Sequence, residues 1–261
     1  MELLSFFKPF NKQLIAVSTS RKGGVSVGDY SSLNLCHYVG DDEEYVVKNR
    51  QHFCRILAFS PDRLFFPRQT HSDYVLNLND DFLKLSSIEQ LQLLEGVDAL
   101  VTNKRQVGIG IFTADCVPVF LYDTVRQAIG IVHAGWRGTS AQIVSKTILL
   151  MQKTFDTDPK DLIAALGPCI SQKNYAVGDE LYDVFYKACF PVNELFIRQP
   201  LTSKWHFDLR AANRWLLMEA GVPIQQIEMT DICTYDQSDR YFSARKLGIQ
   251  SGRITSCLML I

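Results

Sequence analysis

The sequence has almost no excess charge of either sign. Its 27 basic and 28 acidic side chains leave a formal net charge of -1, so no basic surplus is available to hold nucleic acid or an anionic membrane surface. A small or neutral ligand is the expected partner. The N-terminal MELLSFFKPF lacks a long apolar run and carries Glu2, Lys8 and Pro9, so neither a signal peptide nor a membrane span is expected there. The expected location is cytoplasmic. The seven cysteines form no CxxC pair, which argues against a disulfide framework and fits a reducing compartment. Cys36, Cys54, Cys169, Cys189, Cys233 and Cys257 are read mostly as packing residues or inert thiols.

Repeats, low-complexity tracts and Pro/Gly/Ser-rich linkers are also missing. With 47% hydrophobic residues in 261, the chain is read as one domain spanning 1–261. Strands are expected at 14–18, 64–67, 74–78, 99–102, 107–113, 117–122 and 128–133, where β-branched and aromatic residues concentrate. A loop and a short helix are expected within 77–95. Helical spacing of Ile143, Val144, Thr147, Ile148 and Met151 predicts a helix capped by Thr139 or Ser140. A second helix is expected over 179–189, with Leu181, Val184, Phe185 and Ala188 on one face. In FDLRAANRWLLMEAG, Asp208 is the expected N-cap, Gly221 the stop, and Leu209, Ala212, Leu216 and Met218 the apolar contacts. Together these elements suggest an α+β fold, a mixed β-sheet sandwich flanked by helices.

Three apolar segments carry a residue able to bind a metal: PRQTHSDYV with His71, IGIFTADCVPVF with Cys116, and AIGIVHAGWRG with His133. Two imidazoles and a thiolate suit Zn²⁺, and three protein ligands leave a fourth position for water or substrate. Singly, each has a plainer reading as a hydrogen-bonded imidazole or a small buried hydrophobe. Asp115, inside the same run as Cys116, must be solvated, paired or aimed at a site, because burying a lone carboxylate is expensive. The glycines at 135 and 138 allow a tight turn with amides near a helix start, suited to an anion or simply to a strand-to-helix connection. Arg21 and Lys22 precede Gly23 and Gly24 in a turn-rich stretch that suits either a phosphate or a surface hairpin. Arg50 has similar alternatives, since it can pair on a helix face.

The segments SRKGGVS, SSLNL with VGDD and NR, QTH, DALVTN, TADCVPVFLYD, HAGWRGT, GPCIS, FDLRAANRWLL, CTY, and YFSARK with SGR together resemble the YfiH-like, laccase-domain family. Its members are also called multicopper polyphenol oxidoreductases and are viewed as purine nucleoside phosphorylases. The resemblance spans about residues 17–255. It implies a single-domain fold with zinc ligands at His71, Cys116 and His133, phosphorolysis of adenosine, inosine, guanosine and methylthioadenosine, adenosine deamination, and, in related members, editing of peptidoglycan precursors. Two departures stand out: Ala244 replaces a usual aromatic, and Ser72 replaces a usual glycine.

On this reading, zinc held by the three ligands activates a water for attack on adenine, with Asp115 as proton shuttle. Cys116, His133 and Asp115 are therefore the candidate catalytic residues. Arg21, Arg50 and Arg137 are the candidate phosphate-binding residues, because the guanidinium fork suits phosphate. The expected partners are purine nucleosides and phosphate, and a monomer is expected. Copper is a possible occupant of the same ligands, but the five histidines at 37, 52, 71, 133 and 206 cannot also furnish the cluster of a multicopper oxidase. Other readings are a copper-dependent polyphenol oxidase using the single site, a metal-free cysteine hydrolase with Cys116 as nucleophile and His133 as base, and a binding module stabilised by metal.

Overall fold

The computed structural model describes residues 1–200 and 202–261. The chain begins with β1 (Leu3–Ser5), β2 (Leu14–Thr19), α1 (Glu43–Leu57), β3 (Leu64–Phe65) and β4 (Val75–Asn77). Two short helices, α2 (Asp80–Lys84) and α3 (Ser87–Leu93), precede β5 (Ala99–Thr102), β6 (Gly108–Thr113), β7 (Val117–Asp123) and β8 (Ala128–Ala134). There follow α4 (Trp136–Ser140), α5 (Ile143–Phe155), β9 (Leu162–Leu166), β10 (Ala176–Val177), α6 (Asp179–Lys187) and α7 (Val192–Leu195). The last stretch contains β11 (Phe196–Arg198), β12 (Trp205–Phe207), α8 (Leu209–Glu219), β13 (Ile227–Met229), α9 (Ala244–Leu247) and β14 (Ile254–Leu260).

Two mixed sheets stack face to face. One has the order β1-β2-β14-β6-β3 and the other β13-β9-β7-β8-β5-β4, with a small β10-β12-β11 sheet beside them. Strands β7 and β8 are buried at every position, as strands covered on both faces must be. The twofold alternation of a strand divides their side chains. Phe120 and Tyr122 point between the sheets onto Ile109, Ile111 and Leu258, whereas Val119 and Leu121 face α5 and α8. On the far side of the first sheet, Phe53 and Cys54 of α1 pack on Val17, Phe112 and Met259. The result is a helix–sheet–sheet–helix arrangement, the flanked sandwich that the sequence suggests. Burying Ile143, Val144, Ile148 and Met151 of α5 contributes roughly 1.5–3 kcal/mol for each side chain.

Several local expectations need correction. Residues 136–140 themselves form α4, and α5 starts after Gln142, which adopts a left-handed conformation and supplies no side-chain cap. Thr139 and Ser140 therefore lie inside the preceding helix. In α6, Val184 is exposed while Leu181 and Phe185 are buried. Asp208 does cap α8 by accepting from Ala211 N, and Gly221 stops it with φ +96°, a conformation that favours glycine. Met218, however, is exposed, and Leu217 takes its place in the core. Residues 77–95 hold two helices, because both Asn79 and Ser86 act as N-caps. Cys189 is exposed, unlike the buried Cys36, Cys54, Cys169, Cys233 and Cys257.

Candidate metal centre

The antiparallel pairing of β7 with β8 places Pro118 opposite His133 and Val117 opposite Ala134. Cys116, one residue before β7, consequently lies beside the end of β8. The approach is close: a Cβ on Gly135 would sit 3.0 Å from Cys116 Sγ and 2.9 Å from His71 Cδ2. A side chain at 135 would press on both His71 and Cys116 and displace them. Two residues at the centre have positive φ, His71 at 61° and Asp115 at 88°. Such backbone is sparsely populated by residues other than glycine and persists where surrounding contacts enforce it.

Asp98 supplies much of that enforcement. Fully buried before β5, its carboxylate accepts from Thr70 N at 3.0 Å, His71 N at 3.1 Å, Ser72 N at 2.8 Å and Ser72 Oγ at 2.9 Å. It also accepts from His133 Nδ1 at 2.6 Å. Burial opposes its charge, but the bond to His133 and the loop amides outweigh this and hold its pKa below the usual carboxylate value. An ionised carboxylate can only accept, so His133 carries its proton on Nδ1 and presents Nε2 to the site. Ser72, where the resemblance leads one to expect glycine, places its hydroxyl between this hub and Gly96 O, 2.6 Å away, its single proton shared by the two acceptors.

The ligating atoms of His71, Cys116 and His133 lie within 4.8 Å of one another, with His71 Nε2 3.9 Å from Cys116 Sγ. A tetrahedral zinc with ordinary Zn–S and Zn–N lengths sets sulfur and nitrogen about 3.5 Å apart, close to the His71–Cys116 separation, and the set as a whole would draw together on binding. Burial pushes the Cys116 thiol up, but the neighbouring His133 and His71 imidazoles prevail and bring it down to about 6. For His133, burial disfavours the charge, yet Cys116 and Asp98 raise its pKa to about 9. The site is thus poised to present a thiolate, the form that binds metal.

Two chambers meet at these ligands. The larger, about 330 Å³, is bordered by Asp115, Ile170, Tyr175, Leu209 and Arg245. The smaller, about 180 Å³, is bordered by Tyr38, Gln69, Phe112, His133 and Arg253. His71, Ala114, Cys116, Ala244 and Ile249 border both. The small side chain at 244 therefore stands on the boundary between them.

The structure does not bring the three expected arginines to these walls. Arg21 donates to Ser31 O and Ser238 O, both at 2.7 Å, and lies over the Phe242 ring. Arg50 donates to Leu35 O at 2.8 Å, contacts His37 Nδ1 at 2.9 Å and covers the Phe66 ring. Arg21 thus joins two loops, and Arg50 ties α1 to the 35–37 loop. Arg137 sits on α4 with its guanidinium 4.3 Å from the Trp136 ring centroid. The arginines on the chamber walls are instead Arg245 and Arg253. Asp115 does reach the larger chamber, but its oxygens accept from Thr234 Oγ1 at 2.6 Å and Arg245 N at 2.7 Å. Sequence reasoning missed Asp98, although the rule applied to Asp115, that a carboxylate in an apolar run needs a purpose, applies equally to it.

The model of the multi-copper polyphenol oxidoreductase laccase family matches residues 15–261. The chain belongs to this family. Within the laccase family, it is 44% identical over 242 residues to a purine nucleoside phosphorylase of Bacteroides thetaiotaomicron, covering 93% of this chain and 90% of that protein. It is 42% identical over 253 residues to adenosine deaminase RL5 of an unknown prokaryotic organism, covering 97% of this chain and 96% of that one. Among solved structures, the hypothetical protein YfiH of Bacillus licheniformis superimposes with a TM-score of 0.91 at 30% identity, covering 99% of this chain and 96% of that one. No helix among the described residues is long and apolar enough to cross a membrane.

Proposed function

We propose that this chain is a zinc-dependent purine nucleoside enzyme that cleaves adenosine, inosine, guanosine and methylthioadenosine by phosphorolysis and also deaminates adenosine. The observation that carries this reading is the convergence of His71, Cys116 and His133 where the two chambers meet, with His71 and Cys116 on the wall of the 330 Å³ one. Relatives named as a phosphorylase and a deaminase support it. That volume lies within the range of small-molecule sites, and its Ile170, Tyr175 and Leu209 wall suits a flat purine. His71, Cys116 and His133 would hold the zinc, which when bound supplies Lewis acidity and an activated water.

The remaining work falls to the chain's own side chains. Asp98 fixes the tautomer of His133 and the backbone of His71. Asp115 acts as a positioning residue, since its bonds to Thr234 and Arg245 hold the start of α9 against Cys116. Tyr175, with the Arg245 guanidinium 5.2 Å from its ring centroid, forms one wall for the base. The expected result is about one zinc per chain and conversion of inosine plus phosphate to hypoxanthine plus ribose 1-phosphate. Zinc-free protein with full turnover contradicts the metal reading. Base release independent of phosphate contradicts phosphorolysis and indicates hydrolysis.

The Cys116–His133–Asp98 alignment also favours a second reading, a metal-free cysteine hydrolase or peptidoglycan-precursor editing enzyme. Its thiolate, imidazolium and orienting carboxylate are the parts that nucleophilic catalysis requires. Thiol alkylation separates the two. If zinc is the native occupant, Cys116 is protected as purified and reacts rapidly near neutral pH only after chelation, because its pKa of about 6 then leaves it largely ionised. Immediate alkylation with loss of activity, before any chelator is added, favours the hydrolase.

A further inference from the structure

The smaller chamber differs from the larger in both size and charge. Its 180 Å³ corresponds to about six waters at liquid density, below the usual range for a nucleoside-sized ligand but enough for a tetrahedral oxyanion. Arg253 stands on its wall, half-buried, and no carboxylate among the described residues forms an ion pair with it. Its guanidinium is anchored by three main-chain carbonyls, Ser251 O at 2.5 Å, Gly252 O at 3.1 Å and Ile249 O at 2.9 Å. Of the five N–H donors of arginine, those bonds leave two free. Gln69 on the same wall is similarly fixed, donating from Nε2 to Phe112 O at 2.8 Å while its Oε1 accepts from Phe112 N at 2.7 Å. One amide N–H of Gln69 therefore remains to donate.

A cation held rigidly by neutral carbonyls, with spare donors and without a carboxylate partner, is suited to receive a dianion. We infer that Arg253 and Gln69 form an oxyanion subsite for the phosphate group of the reaction, while the purine occupies the larger chamber. This assignment rests on the phosphorolysis reading. Cys116 and Ala244, which border both chambers, place the two ligands side by side. In that arrangement a phosphate oxygen forms the bond to C1′ of the ribose as the C1′–N9 bond breaks. The electron pair leaves on the purine, which takes up a proton.

The same chemistry also fits the 5′-phosphate of a nucleotide, so the test has two binding arms. Inorganic phosphate and inosine 5′-monophosphate are each titrated into zinc-loaded wild-type and Arg253→Gln protein by calorimetry, with thermal melting to verify folding. Weakening of phosphate binding by at least about 10-fold in the variant, from the lost charge-assisted bonds, supports a free-phosphate site. Weakening of the nucleotide alone supports the subsite with the 5′-phosphate as its source. Equal binding of both ligands by the two proteins overturns it. Because Arg253 also ties its loop, Gln69→Leu and Arg253→Lys serve as parallel variants. In turnover, the KM for phosphate should rise by about 10-fold or more in Arg253→Gln while that for inosine rises much less. Wild-type phosphorolysis combined with an unchanged KM for phosphate in every variant overturns the subsite but leaves the enzyme assignment standing. Absence of phosphorolysis together with Arg253-dependent phosphate binding does the reverse.

Discussion

Replacement of Cys116 by alanine is expected to remove the metal and lower nucleoside turnover by about three orders of magnitude. A bound metal supplies several kcal/mol of transition-state stabilisation, and each 1.36 kcal/mol corresponds to about tenfold in rate. The thiolate is the soft, charged donor of the three. Without it, only two imidazoles face the cavity. Elemental analysis and inosine phosphorolysis measured on the same preparation test the prediction. Cys116→Ala protein that keeps both its zinc and its rate rules out Cys116 as a ligand. Protein that keeps its rate while losing the metal shows that the reaction does not depend on the ion.

Asp98→Asn is expected to damage both the centre and the fold. Asparagine has nearly the same shape but only one accepting oxygen, and Asp98 receives four N–H donors, besides the shared Ser72 hydroxyl, on its two oxygens. Its amide nitrogen necessarily faces donors, leaving buried N–H groups of the Thr70–Ser72 loop or His133 without acceptors. Each orphaned group costs about 1–3 kcal/mol, so unfolding should become easier by about 3 kcal/mol or more. Loss of the bond that orients His133 should also weaken metal affinity by about 10–100-fold. Urea unfolding of apoprotein measures the first effect, and competition with a chelator measures the second. Wild-type values in both assays would show that the carboxylate is not the organising group.

The three candidate ligands were legible because each lies at or near the end of an apolar run, where a strand stops. Their assembly depended on pairing that the sequence does not display. Strands β7 and β8 were recognisable because burial on both faces makes them continuously apolar. Strand β14, between β2 and β6 in its sheet, was missed although all seven of its residues are buried. Thr255 and Ser256 dilute its pattern, and its partner Ser18 is distant in the chain. Helix α1 escaped for a related reason: its buried side is only Val46, Asn49, Phe53 and Cys54, a sparse signal on an otherwise polar segment. Arg21 and Arg50, read from neighbouring glycines and a helix face, lie instead against main-chain carbonyls away from the chamber walls. Arg245 and Arg253 enter the site only because the C-terminal segment returns across both sheets.

The three candidate ligands do not share one support. Cys116 and His133 are set by adjacent strands in the middle of a sheet, whereas His71 lies exposed on a loop whose amides at 70–72 all donate to Asp98. For a bound ion, that difference is expected to separate retention from exchange: the strand-borne pair forms the fixed part of the cradle and the loop the part that local opening would release. The dissociation rate of a bound ion should then track how often Thr70, His71 and Ser72 together release Asp98, and their amide protons should exchange with solvent through the same opening.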